Sequence, residues 1–318
     1  MNETKWLNCR LTDVQTELAG EEHFVSRPVI SRLWQAHDYD LHLNIKTLDG
    51  QSHPERDEQF KHMRAQRKQH QVDGQPDISV DTKKKELIGD FKNAGRSMSC
   101  AAALRAAPRV AGAQDEGTVA ERVNIHDFPS DAIARAVPYG IYDLQHNCGT
   151  VYVGQSADTP AFAVDNIVRW CENEMPQRFL NAHALMIEAD GGGSNSSRSR
   201  VWKQQLQEKV ADRFGLTITV CHYPTGTSKW NPIEHRLFSE ISKTWAGCPL
   251  RSFDLTLHYL RDTTTQTGLT VQACLITDEY PTGLKVSDEA MEALNLEAHD
   301  VCPQWNYTIR PRPILSAT

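Results

Sequence analysis

No stretch of about 18 apolar residues interrupts this chain, so no segment reads as a membrane-spanning helix, and the opening MNETKWLNCR lacks the basic and apolar blocks of a secretory signal. Both absences lead one to expect a cytoplasmic protein with no membrane partner. There is no C-x-x-C and no Cys/His group at zinc-finger spacing. The 8 cysteines stand singly and are expected to be reduced and structural. Positive charge is not in excess either: 34 Lys and Arg face 41 Asp and Glu, a net charge of −7. That balance argues against a uniformly basic nucleic-acid coat, yet a local basic groove can coexist with an acidic remainder. What is present is ordinary soluble composition, 39% hydrophobic and 24% charged over 318 residues, enough for one large core or two domains.

The most informative stretch is TITVCHYPTGTSKWNPIEHRLFSEISKTW, from Thr217 to Trp245. Its β-branched start predicts a strand over Thr217 to His222, bounded by Pro224 and a polar loop at Gly226. Asn231 then reads as a helix N-cap with Pro232 at the first helical position. Ile233, Leu237 and Ile241 recur four apart, with Phe238 and Trp245 alongside, so one helix face is buried. Glu234 lies towards that face or its rim, where a lone carboxylate is costly unless a cation meets it. The simpler reading makes Glu234 a capping-box residue favoured by the helix dipole.

In chain order, Leu11 to Leu18 and Arg27 to Ala36 predict two short helices about a turn at Gly20. Ser26 caps the second, Pro28 follows, and Arg27 and Arg32 are exposed. The pair suits a helix-turn-helix over residues 1–45, and equally a small helical hairpin. Residues 46–76 read as a charged, solvated linker helix. Ile78 to Val80 form a short strand with Asp81 at its end, followed by Lys83, Lys84 and Lys85. Residues 97–122, rich in alanine with Pro and Gly, read as a flexible insertion. Two β-rich runs about Asn147 to Gly149 predict a hairpin, and Ala161 to Trp170 a buried helix. Ala184 to Ile187 is a buried strand leading to EADGGGSN, with Asp190 at its tip and glycines that let the backbone turn sharply. A helix from about Arg198 to Arg213 follows. This order fits a mixed α/β sheet covered by helices, with a core over 77–262 and a carboxy-terminal extension, 263–318, packing on it.

Three acids then fall at element ends: Asp81, Asp190 and Glu234. Gathered together they repel unless hard cations such as Mg²⁺ lie between them. Two such ions held by carboxylates stabilise the attacking and leaving oxygens of an in-line phosphoryl displacement. Asp143, also on a strand, is the alternative first acid. Candidate phosphate contacts are Lys83, Lys84, Lys85, Arg198, Arg200, Lys203, Lys229, Arg236 and Lys243. His222 and His235 read as hydrogen-bonded structural residues, and Trp202, Trp230 and Trp245 as core or rim packing.

The motifs ISVDTKKKELIGDFKNAG, HDFP, PYGIYDL, DGGGSN, HYPTGTSKWNPIEHRLFS and WNYTIRP together resemble the insertion-sequence DDE transposases, in particular the Rhodopirellula-type DDE domain, a relative of the mariner-like branch. The resemblance runs from about Lys5 to Pro311. It implies an RNase H-like fold (a mixed sheet flanked by helices) behind an amino-terminal helix-turn-helix shorter than is usual in the family. It also implies Mg²⁺-dependent nicking at element ends and strand transfer into target DNA, with two ions that Mn²⁺ can replace. Asp81, Asp190 and Glu234 match the catalytic, metal-binding triad. The implied partners are double-stranded DNA, as terminal repeats and target, and further copies of the chain in a homodimer or larger assembly, in the cytoplasm at the nucleoid. A catalytically silent DNA-binding derivative and an RNase H-like nuclease are the competing readings.

Overall fold

The computed structural model describes residues 11–37, 53–95 and 122–313. They belong to two compact units that divide between Gln51 and Ser52. The insertion expected at 97–122 lies, but for Arg122, outside the described residues. So does the stretch from 38 to 52.

The first unit contains helices α1 (Leu11–Gly20) and α2 (Arg27–Ala36), as expected from the pattern. The Gln15 amide donates to the Val25 carbonyl across the turn at 2.9 Å, and Ile30 is buried. Ser26 occupies the N-cap position in extended backbone, but its side chain makes no capping bond. Arg27 and Arg32 are exposed.

The second unit is built on one sheet. Its centre is β1 (Asp77–Thr82), flanked by antiparallel β3 (Ala134–Asp143) and parallel β5 (Ala184–Asp190). Outside these lie β4 (Cys148–Gly154), antiparallel to β3, and β6 (Thr217–Tyr223), parallel to β5. A short β2 (Glu86–Ile88) pairs with the start of β3. The order β4-β3-β1-β5-β6, an antiparallel meander joined through its first strand to parallel crossovers, is that of an RNase H-like sheet, as expected. Helix α4 (Pro160–Asn173) makes the crossover from β4 to β5. Its N-cap Thr159 accepts from the Phe162 amide, and Pro160 takes the first turn. Helix α5 (Arg200–Leu206) runs on through a π turn at Gln207–Ala211 to Phe214, where Gly215 at φ 67° ends it.

β1 alternates between two hydrophobic layers. Ile78 and Val80 point into the layer of Phe162, Ile167, Trp170 and Trp202 from α4 and α5. The opposite face of the sheet carries Tyr142, Val151 and Val153, covered by Ile233, Leu237, Phe238 and Ile241. The covering helix reaches α6 (Ser239–Thr244), and α7 (Phe253–Arg261) adds Leu257 and Leu260. The helix comes close because Gly140 has no side chain: a Cβ there would meet Phe238 at 2.5 Å and Ile233 at 2.9 Å.

Two expectations are corrected. The carboxy-terminal residues do more than pack on the core. β7 (Thr270–Ile276) extends the sheet beside β4, and β9 (Asn306–Ile309) extends it beside β6, with β8 (Leu296–Ala298) beyond it. The segment expected as a solvated linker is helix α3 (Arg56–Val72), which lies against the sheet. Met63 packs with Met186, Cys221 and Tyr223, while Gln59 and Asn306 exchange buried amide bonds of 2.8 and 2.6 Å. Arg67 forks onto Glu188 at 2.7 and 2.6 Å, and Tyr223 donates to the same carboxylate. The buried stripe, Gln59, Met63, Arg67 and His70, is mostly polar, so no hydrophobic period betrays it.

Glu188 is wholly buried, and Asp77 beside it is held well above the usual carboxylate range by burial and then by the Glu188 charge. Arg67 is the cation that Glu188 depends on. Replacing it, as Arg67→Met, is expected to cost about 3–5 kcal/mol by leaving a buried charge unpaired. Urea unfolding checks this, and Glu188→Gln in the same background is expected to recover much of the loss.

Candidate functional site

The carboxyl ends of β1 and β5 are neighbours because the two strands run parallel, with Val80 opposite Ala189. Asp81 and Asp190 therefore emerge at the same edge of the sheet. β5 hands over to Gly191, Gly192 and Gly193, the last at φ 62°, so the loop doubles back. Its Asn195 is buried and accepts from the Tyr139 hydroxyl at 3.0 Å, while Ser194 lies 3.2 Å from the Thr82 hydroxyl. The loop is thereby tied to the end of β1.

Glu234 arrives from the other face. The helix begins at Pro232 as expected, but Asn231 does not cap it with its own side chain. The Ser79 hydroxyl donates to Asn231 Oδ1 and accepts from the Ile233 N–H at 3.3 Å. A β1 hydroxyl thus satisfies an open N–H of the helix, and the Asn231 carbonyl oxygen fixes that hydroxyl. Glu234 opens a π turn, Glu234–Phe238. Such turns are rare and frequently mark functional sites.

The three acids share one electrostatic field. Burial first, then the charge of Asp190, with Glu234 and Asp158 adding to it, pushes Asp81 up to about 8. Burial and then Glu234 push Asp190 to about 6, partly offset by the Asn231 amide. Asp190 Oδ1 is buried, and neither it nor the Asn231 amide nitrogen facing the carboxylate has a partner within hydrogen-bonding distance. A buried, unpartnered carboxylate oxygen within a set of mutually repelling acids fits a hard divalent cation, which takes oxygen ligands and supplies the missing positive charge. Among the described residues, no three His, Cys, Asp or Glu side chains lie close enough together to hold an ion.

A cleft of about 500 Å³ opens beside Asp81 and Asp190, lined also by Lys83, Lys84, Lys85, Asp158 and Gly192 to Ser194. Asp158 is an acid that the sequence did not disclose. It accepts from the Thr82 hydroxyl at 3.1 Å and lies 3.6 Å from Lys85 Nζ. Its only local signal is D-T-P at a helix start, which reads as punctuation.

Asp143 is elsewhere. It pairs in register with Ile78, three residues before Asp81 and so about 10 Å along the strand. Its carboxylate accepts the Gln145 and His146 amides of the hairpin turn, with Arg178 3.6 Å away. His222 is fully buried. Its Nε2 meets the Tyr307 hydroxyl and its Nδ1 the Asp190 carbonyl, each at 3.2 Å. Trp202 donates to that same hydroxyl at 2.8 Å. Burial lowers His222 to about 4, so a neutral ring steadies the Asp190 backbone. His235 is exposed.

The candidate phosphate contacts divide. Lys83 is buried, paired with Glu86 at 2.8 Å and 4.6 Å from the Trp245 ring centre. Lys84 is exposed at the cleft. Lys203 is half-buried above Tyr307, its ammonium lowered by burial. Arg200 reaches Asp288, and Lys243 pairs with Glu240. Arg198, Lys229 and Arg236 are exposed away from the cleft lining. Trp202 and Trp245 are core residues, 0% and 4% exposed, whereas Trp230 is 52% exposed.

The sheet and its acid-bearing edge define an RNase H-like protein. The chain belongs to the Rhodopirellula transposase DDE domain family, whose profile matches residues 1–311. Among solved structures it is similar to the Mos1 transposase paired-end complex with left transposon end, at 11% identity and a TM-score of 0.43 over 82% of this chain and 72% of that one. The Mos1 mariner paired-end complex with Mn matches at 11% and 0.44 over the same shares, and the Mos1 strand transfer complex at 10% and 0.43 over 82% and 71%. No curated protein matches in sequence.

The raised acids set a pH dependence. A carboxyl whose pKa is raised on folding contributes stability below its ordinary value near 4, and that contribution is lost as pH rises through about 6 for Asp190 and about 8 for Asp81. Without metal, Asp190→Asn is expected to stabilise the protein by about 2 kcal/mol at pH 8 and hardly at all at pH 4. Urea unfolding of the two proteins across that range checks it, and His222, common to both, cancels in the difference.

Proposed function

We propose that the protein is an insertion-sequence transposase that nicks DNA at the element's ends with divalent metal ions and joins the freed 3′ ends to target DNA. The observation that carries this reading is the placing of Asp81, Asp190 and Glu234 within one another's field at one edge of an RNase H-like sheet, in a chain of the transposase DDE family. Asp81, Asp190 and Glu234 would hold two Mg²⁺, or Mn²⁺ in their place, and would thereby present positive charge to the attacking and leaving oxygens of the phosphodiester.

The chain's own groups do the rest. The Ser79 and Asn231 link keeps Glu234 against β1, and neutral His222 keeps the Asp190 backbone in place. Lys84 and Lys85, at the cleft, meet the strand's phosphates, with Lys83 behind them. Arg27 and Arg32 on α2 serve a helix-turn-helix that reads the element's ends, and copies of the chain assemble on double-stranded DNA to bring two ends together. Asp143, engaged in its hairpin, serves the turn.

Nicking of a supercoiled plasmid carrying the element's ends tests the proposal. Cleavage is expected with Mg²⁺ and not with EDTA, and Asp81→Ala, Asp190→Ala and Glu234→Ala are each expected to lower it at least about a hundredfold, the scale of a lost preorganised charge stabiliser. Asp143→Ala is expected to retain cleavage in proportion to its folded fraction. DNA binding without cleavage would replace the proposal with a silent, binding-only derivative. Cleavage of RNA–DNA hybrids that survives removal of residues 1–45 would replace it with a nuclease.

A further inference from the structure

Trp230 stands at the end of a short row of rings. Tyr223, buried and bound to Glu188, lies 6.0 Å from Phe60 on α3, and Phe60 lies edge-on to Trp230 at 6.2 Å. The inner rings are anchored, yet Trp230 leaves half its surface in water. Two cations flank the indole: the Arg56 guanidinium at 6.0 Å from the ring centre and the Lys229 ammonium at 5.8 Å. These distances are at the outer end of the cation–π range, so neither cation is pressed onto the ring. Glu234 follows four residues later. Core packing explains Trp202 and Trp245, but it leaves unexplained an indole propped from behind, open in front and edged with positive charge.

Resting on the transposase reading above, we infer that Trp230 is a stacking platform for an unpaired nucleobase of the DNA strand whose phosphodiester enters the carboxylate cleft. Asp81 and Asp190 are recessed at the sheet edge, so a duplex that delivers one phosphodiester to them parts its strands there and leaves a base without its partner. An exposed indole recovers the lost stacking for any base, because every base has a π face. Arg56 takes a phosphate beside that base. Trp230 is a positioning residue in this account: it holds the strand, and the acids act on it.

Binding of two single strands to the full-length protein in EDTA, where no cleavage occurs, tests the inference: oligothymidylate and an abasic strand of equal length and charge. The wild type is expected to prefer the base-bearing strand. Trp230→Leu, which keeps an apolar contact with Phe60 while removing the aromatic face, is expected to weaken oligothymidylate binding roughly 10- to 100-fold, the scale of one lost stacking contact. Its affinity for the abasic strand stays within about twofold, and Trp230→Phe retains most of the preference. Arg56→Ala weakens both strands alike. Loss of affinity for both strands in Trp230→Leu, or for neither, overturns the inference. Wild-type protein that nicks its plasmid while Trp230→Leu shows no base-specific loss sinks the stacking role alone; wild-type protein that binds neither strand and nicks nothing sinks the transposase reading with it.

Discussion

The link between Ser79 and Asn231 is the constraint on which the acid-bearing edge depends. Asp81 and Asp190 need no special device, since parallel pairing of β1 and β5 brings their ends together. Glu234 has no such guarantee: it comes from a helix on the far face, after a loop. One hydroxyl, two residues before Asp81 on the same face of β1, holds Asn231 and the Ile233 N–H together. The absence of a side chain at Gly140, opposite Asp81 in register, lets Ile233 and Phe238 settle close to the sheet. The position of Glu234 thus follows from a serine, an asparagine and a glycine, none of which carries charge.

What this holds together is an arrangement of like charges that folding alone does not favour. Burial and mutual repulsion raise Asp81 and Asp190, and Asp190 Oδ1 has no partner. Elsewhere on the sheet Glu188, buried just before Asp190 on β5, has the Arg67 fork and the Tyr223 hydroxyl, while Asp77, buried with neither oxygen hydrogen-bonded, is raised well above the usual range with Arg67 3.6 Å away. Of the lysines that line the cleft, Lys83 pairs with Glu86 and Lys85 lies beside Asp158. Glu188 thus has its cation within the chain, whereas the three acids at the sheet edge, drawn from β1, β5 and the covering helix, share a field of like charge, an environment typical of functional sites.

Much of this was legible in the sequence, for reasons that can be named. The core strands and α4 announce themselves by β-branched runs and a 3.6-residue period, and the three acids by their places at element ends. The carboxy-terminal strands β7, β8 and β9 did not, because β7 and β9 pair with β4 and β6, far away in sequence, and β8 is only three residues long. α3 was legible as a helix, but its burial was not, since Gln59 binds Asn306 and the His222 carbonyl and Arg67 forks onto Glu188, all more than a hundred residues away. Asn231 takes the N-cap position that Asn-Pro announces, its carbonyl accepting the Glu234 N–H, but its side chain turns instead to Ser79, 152 residues upstream. Asp158 carried no local signal beyond the punctuation of D-T-P. Sequence periodicity reports faces of elements; it is silent on which polar side chains find each other across the fold.

The most direct measurement of the central claim, that these carboxylates form one unit completed by a divalent cation, is calorimetric titration of Mn²⁺ or Mg²⁺ at pH 7 in two buffers of different ionisation heat. With Asp81 raised to about 8 and Asp190 to about 6, filling the site is predicted to release about one proton, chiefly from Asp81, and Asp81→Asn is predicted to abolish that release. Metal binding without proton release, or binding that survives in Asp81→Asn and Asp190→Asn alike, would contradict the account.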